Sequence, residues 1–267
     1  NFFEEVAKMR AARKIWARIM REQFGAQRTK SLFLRNNMMT CGSTLVANEP
    51  LNNIARVAFK TLCAVMSGCQ SLHTSSYDEA SGIPSDDSVT IALRTQTIAE
   101  HETGVAEIAD PLGGSYYVEA LTRDIAKQAE EYIARIEQMG GYMAAVEKGF
   151  LQQEVADSAK KHQQEIEDCQ RLVVGLNKYT TDKKTSIPNF EHDPKTKDLQ
   201  IQRLRELRRS RDQRKVDEML NKVRNAARDG EHLMPNIIEA VKAKATLGEV
   251  MKVLKEELGA YQNEYCR

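Results

Sequence analysis

Ser31-Leu32-Phe33-Leu34-Arg35, running into Asn36-Asn37, and Cys69-Gln70-Ser71-Leu72-His73, running into Thr74-Ser75, are the two stretches on which the fold turns. Each is a short run with an apolar centre and a polar end, which reads as a buried strand. Between them lie a loop containing Gly42 and Pro50 and a helical stretch from Asn52 to Met66. After the second stretch, a loop through Gly82, Pro84 and Asp86 leads to a helix expected over Ser88 to His101, with Ser85 or Asp86 as its cap. Strand alternating with helix argues for an α/β class with parallel strands. Two strands close neither a barrel nor a stable sheet, so the missing strands are expected upstream or on another chain.

Outward from this centre the chain is helical. Val6, Met9, Ile15, Trp16, Ile19 and Met20 recur near helical spacing within Phe3 to Arg28, an amphipathic helix. Beyond Asp110-Pro111-Leu112-Gly113-Gly114-Ser115, helices are expected from Tyr117 to Met139 and from Met143 to Ile166, interrupted by Gly140-Gly141. Asp182 to Asp198, with Pro188 and Pro194, reads as a linker. Three or four helices follow between Leu199 and Leu258, with turn signals at Gly230 and Met234-Pro235 and a capping box from Thr246 to Glu249. The expected division is 1–115 for the α/β part, 116–181 for a helical extension packed on it, 182–198 for the linker and 199–267 for a C-terminal helical region.

Composition narrows the function. The 267 residues carry 39 basic and 38 acidic side chains, and a net charge of +1 argues against a whole-chain nucleic-acid binder. No run approaches the roughly 18 apolar residues of a membrane span. Five cysteines without a CxxC pair suit a reducing, cytoplasmic setting, and five dispersed histidines form no metal-ligand pattern. The chain opens on Asn1-Phe2-Phe3 and reads as the later part of a longer polypeptide, or as half of a split one.

Because α/β folds place reactive groups beyond the carboxyl ends of parallel strands, Arg35, Asn36 and Asn37 after the first strand are candidates. So are Gln70, Ser71, His73, Thr74 and Ser75 at the second. His73 could act as an acid or base, although a lone histidine without a visible partner is more often structural. Asp78-Glu79 could orient a hydroxylated ligand. Gly113-Gly114-Ser115 lacks a phosphate-loop pattern and is a turn. The basic run Arg203 to Lys215 is interleaved with Glu206 and Asp212 and reads as a solvated helix face rather than a nucleic-acid site. The ten methionines read as gap-fillers in a helical core. Cys41 and Cys69 lie near the strand ends, but neither has an adjacent histidine or basic residue to activate it.

Several words carry a resemblance. They are Asn1 to Arg13 (NFFEEVAKMRAAR), Gln70-Ser71-Leu72-His73-Thr74 with Asp78-Glu79-Ala80, Asp110 to Glu119 (DPLGGSYYVE), Val174 to Tyr179 (VGLNKY) and Arg209-Ser210-Arg211-Asp212. The sequence resembles the large-subunit catalytic domain of the methylmalonyl-CoA mutase family, the adenosylcobalamin-dependent acyl-CoA mutases. The resemblance spans essentially the whole chain. It implies the later part of a TIM (β/α)8 barrel followed by a helical extension, an acyl-CoA substrate threaded along the barrel axis, and a radical 1,2-rearrangement of the acyl skeleton. The cobalamin-binding domain or subunit and the upstream half of the barrel would be partners, and an oligomer is expected, inactive as this segment alone. Carried over position by position, Arg35, Gln70, Ser71 and His73 fall to the substrate, and Glu79 and Ser75 to the cofactor.

The resemblance also marks departures. Where the family usually reads x-His-x-Gln-Thr after the strand-end arginine, this chain has Asn36-Asn37-Met38-Met39-Thr40, so Asn37 stands for the histidine and Met39 for the glutamine. Ser75 stands where an asparagine is usual. These departures leave two readings: a pocket for a different acyl group, or a non-catalytic assembly subunit that keeps the barrel fold.

Overall fold

The computed structural model describes residues 1–181 and 193–260. The chain forms two compact units, Asn1–Phe190 and Glu191–Arg267. Among the described residues no helix is long and apolar enough to cross a membrane.

In the first unit, α1 (Phe2–Glu22) packs along α4 (Tyr116–Gln138) and also touches α2 (Asn52–Met66). The buried residues of α1, Val6, Ala7, Arg10, Ala11 and Ile15, follow helical spacing and fix which face turns inward. Arg10 is buried among them, and its guanidinium pairs with Asp110 and Glu119. Glu119 also accepts from the Gly114 N–H at 3.1 Å. The Asp110–Glu119 word therefore folds as a turn followed by the first residues of α4, arranged around one buried cation, which an apolar site tolerates only when paired.

The sheet has two parallel strands, β1 (Asn37–Met39) and β2 (Ser71–His73), in the register Asn37 to Ser71, Met38 to Leu72 and Met39 to His73. This moves the first strand from its expected place. Ser31 and Leu32 lie in a short 3-10 turn, Thr29–Leu32, and the ladder forms six residues later than its apolar run suggests. The partner strand decides the register: the Gln70 N–H reaches the Asn36 carbonyl, so pairing begins there. Arg35 consequently precedes its strand, and Asn37 lies within it. Likewise β2 starts at Ser71, placing Gln70 before the strand and His73 inside it.

On one side, α2 and α3 (Asp86–Glu102) pack together. Ser85 caps α3 by accepting from the Ser88 N–H. The expected helix Met143–Ile166 is two helices, α5 (Tyr142–Glu147) and α6 (Phe150–Glu167), because Gly149 takes φ +71 between them.

The second unit holds α7 (Pro194–Ser210), α8 (Gln213–Arg228), α9 (Leu233–Lys242) and α10 (Leu247–Leu258). Val216, Met219, Val223, Ala240, Ala243, Ala245, Val250 and Val253 form its core. Most of the expected linker, 182–192, lies outside the described residues. Asp193 to Asp198 are the cap and first turn of α7, since proline at the first helical position starts a helix rather than breaking one. Pro235 is likewise inside the first turn of α9. The basic run is not one solvated face. It breaks at Arg211–Asp212, where Asp212 caps α8 and the Arg211 side chain, 3% exposed, pairs with Glu249 at 2.6 Å. The Thr246–Glu249 capping box is formed.

Candidate functional site

Parallel pairing sends alternate side chains to opposite faces of the sheet. Met38 and Leu72 turn to one face and are half-buried, while Asn37, Met39, Ser71 and His73 share the other and are exposed. Met39 is 66% exposed beside His73 in the register. A parallel sheet is normally covered on both faces, so this open face is the unusual surface of the first unit.

Before the strands, Arg35 and Gln70 come together with Arg13 of α1. With Leu32, Phe33 and Leu34 they line a cavity of about 330 Å³. Gln70 accepts at Oε1 from the Asn36 N–H and donates from Nε2 to the Gly68 carbonyl, both at 2.9 Å. Arg13 donates to the Ser67 carbonyl at 2.5 Å, and burial pulls its guanidinium below the ordinary arginine value against the opposing field of Asp110. Ser71 and Gln70 also border a smaller cavity of about 200 Å³ with Gln96 and Thr61.

Beyond the strands the chain is locked by polar side chains. The Ser75 N–H donates to Thr40 Oγ1, and Ser75 Oγ donates to the Thr40 carbonyl, each at 2.7 Å. Ser75 is 4% exposed, so its hydroxyl proton is committed inside the protein. Glu79 accepts at Oε1 from the Ser76 N–H at 2.9 Å, and its Oε2 stands where a Cβ on Gly42 would approach to 3.1 Å. Asp78 accepts at Oδ2 from the Ser85 N–H at 2.9 Å. Thr74 donates to the Ala92 carbonyl at 2.8 Å.

Glu79 and Gln70 therefore sit at opposite ends of β2, and neither cavity that Gln70 lines includes Glu79. The sequence candidates divide into an arginine–glutamine end, an open face with Ser71 and His73, and a far end with Ser75 and Glu79.

Two partners escape a reading of the sequence. Arg13 joins Arg35 although 22 residues separate them. Lys60 of α2 donates to the Cys41 carbonyl at 3.1 Å and to Thr44 Oγ1. Cys41, read as unactivated, is in fact exposed, and its Sγ lies 2.9 Å from Ser43 Oγ. Hydrogen bonds from the Ser43 hydroxyl and backbone, helped by Lys60, hold the Cys41 thiol below its ordinary value. Burial lowers Lys60 in turn. Only the i, i+3/i+4 face of α2 could have hinted at Lys60. Among the described residues no group of three or more His, Cys, Asp or Glu side chains could hold a metal ion.

The comparisons with known proteins agree on one family. A sequence profile described as methylmalonyl-CoA mutase matches residues 1–260. The 2-hydroxyisobutanoyl-CoA mutase large subunit of Aquincola tertiaricarbonis is 42% identical over 264 residues, covering 98% of this chain and 47% of that protein. The methylmalonyl-CoA mutase of Rhizobium meliloti is 41% identical over 263 residues, with 98% and 37% covered. The mitochondrial methylmalonyl-CoA mutase of Homo sapiens is 37% identical over 264 residues, with 98% and 35% covered. The chain thus spans between about a third and a half of the length of these relatives. Matched from its first residue to residue 260, the chain belongs to the methylmalonyl-CoA mutase family.

Proposed function

We propose that this chain is the C-terminal part of the catalytic barrel of an adenosylcobalamin-dependent acyl-CoA mutase, with β1 and β2 as late strands of a TIM barrel. The observation that carries the reading is the open sheet face of Asn37, Met39, Ser71 and His73, preceded by a cavity that joins Arg13, Arg35 and Gln70. Closing the barrel around that face covers it and pairs the two bare sheet edges. Two guanidinium groups lining one cavity with Leu32, Phe33 and Leu34 suit a ligand that is both phosphorylated and partly apolar, as an acyl-CoA is. Gln70 keeps a second amide proton for that ligand after bonding Gly68.

The far end fits an adenosyl group in part. Glu79 has one oxygen fixed by Ser76 and the other turned to Gly42, which suits acceptance from a ribose hydroxyl. Ser75 does not fit, because its proton already goes to Thr40. When bound, adenosylcobalamin supplies the carbon radical that starts a 1,2-shift in the acyl group. The residues of this chain hold the thioester in place, and the enclosing barrel keeps water from the reacting carbon. The cobalamin-binding domain is fused elsewhere in the protein or borne by a second subunit, as the name of the large-subunit relative suggests. We place the enzyme in the cytoplasm, as an oligomer.

The test uses the full-length protein with adenosylcobalamin and its candidate partner subunit, offered a panel of branched acyl-CoA thioesters. Skeletal isomers are expected by chromatography, and Arg35→Gln is expected to raise KM more than it lowers kcat. Acyl-CoA binding without any rearrangement would favour the assembly-subunit reading. Absence of both binding and rearrangement would remove the mutase reading altogether.

A further inference from the structure

A third cavity, of about 620 Å³, lies among α2, the end of α6 and the turn at Val173–Lys178. It meets the candidate site only at Ser43 and Thr44. The Val174–Tyr179 word, which the proposed reaction does not use, builds one wall. Asn177 donates to the Ile166 and Arg171 carbonyls at 2.8 Å each and accepts from the Val173 N–H at 2.7 Å. Arg56 of α2 donates to the Val174 carbonyl at 2.5 Å. The wall is pinned at both ends, so the cavity is preformed, and its size falls within the range that holds small ligands.

Two properties define what it takes. Phe59, Leu172, Val174 and Leu176 are 67, 59, 46 and 46% exposed, and all four line this one cavity. Such a concentration of exposed apolar side chains marks a binding surface. The ionisable side chains on the lining are Arg56, His162 and Arg171, with no carboxylate among them. Glu165, just outside the lining, bonds Arg171 through Nε and Nη2, which leaves Nη1.

We infer that this cavity binds a small amphipathic anion: an aliphatic carboxylate whose chain lies on Phe59 and Leu172 and whose head group meets Arg171. The charge and the apolar walls each select for one end of such a molecule. The site is independent of the mutase reading, and its test involves neither acyl-CoA nor cobalamin.

The experiment titrates the full-length protein with octanoate, decanoate and the neutral 1-decanol in a calorimeter. Saturable one-to-one binding of decanoate is expected, tightening about fourfold per added methylene from octanoate. Leu172→Glu and Arg171→Gln should each weaken it more than tenfold without lowering the melting temperature of the ligand-free protein. If Leu172→Glu fails to fold, Arg171→Gln decides alone. Decanol binding as tightly as decanoate, a flat chain-length series, or affinity unmoved by Arg171→Gln would each overturn the assignment.

Discussion

Replacing Glu249 by glutamine isolates one charge in the second unit. Glu249 bonds Arg211 through both carboxylate oxygens, at 2.6 and 2.8 Å, and completes the capping box by accepting from the Thr246 N–H at 2.8 Å. The Arg211 hydrogen bonds, with those of Thr246, lower the Glu249 carboxyl from its ordinary 4.5 to about 2. A depression of that size corresponds to about 3 kcal/mol of folding stability at neutral pH. Because the folded value is depressed, this contribution is complete above the unfolded value near 4.5 and disappears as the pH falls toward 2. Glutamine also serves at the third position of a capping box, so Glu249→Gln keeps the cap and removes the charge. It leaves Arg211, 3% exposed, without its counter-ion. Hydrogen exchange on the full chain reads the effect at the buried α8 amides of Val216 and Val223, which open with the unit. At pH 7 the variant should exchange on the order of a hundredfold faster than wild type. The difference should shrink as pH falls from 5 to 3 and vanish only near pH 2. A difference under threefold at pH 7, or one that persists unchanged at pH 3, would refute the electrostatic account.

Other expectations are simpler. Arg10→Met should lower the urea midpoint, since it removes the cation that joins Asp110 and Glu119; an unchanged midpoint would show that the pairing does not hold this turn. Asn53→Ala should cost about 3 kcal/mol by the same measurement, because the buried Asn53 amide bonds the N–H and carbonyl of Val46 and the carbonyl of Tyr77. Iodoacetamide should alkylate Cys41 at lower pH than Cys63 or Cys69, both raised by burial. Ser43→Ala should shift the Cys41 profile upward more than Lys60→Met, since the Ser43 hydrogen bond is the larger influence; equal shifts would count against it.

Local signals were readable where the chain supplies its own partners. Asn52 to Met66 is helical over the expected span, Ser85 caps α3, and Thr246 and Glu249 satisfy each other, all within a few residues. The readings that moved depend on distant backbone or on position within an element. Ser31 to Leu34 is as apolar as a strand, but only the segment facing β2 can pair, and that is Asn37 to Met39. Pro194 and Pro235 look like breakers, yet both occupy first-turn positions where no intrahelical N–H is needed. The site divided in the same way. Gln70, Ser71, His73 and Glu79 were found as a word, whereas Arg13 and Lys60 come from helix faces whose direction the packing sets.

The polar word after β2 has a structural use that precedes any chemistry. Thr40 and Ser75 brace the two strand ends through a pair of hydrogen bonds, Asp78 ties the cap of α3, and Asn53 holds the loops at Val46 and Tyr77. Loops fixed in this manner keep their side chains placed before any ligand arrives. Serine at position 75 matters in that light. An asparagine there would be longer and would carry both an amide donor and an amide acceptor, whereas the serine hydroxyl is short enough to turn back onto Thr40. Ser75→Asn should therefore weaken the Thr40 brace and lower stability in urea denaturation. A variant of unchanged stability would mean that the brace does not depend on the serine hydroxyl.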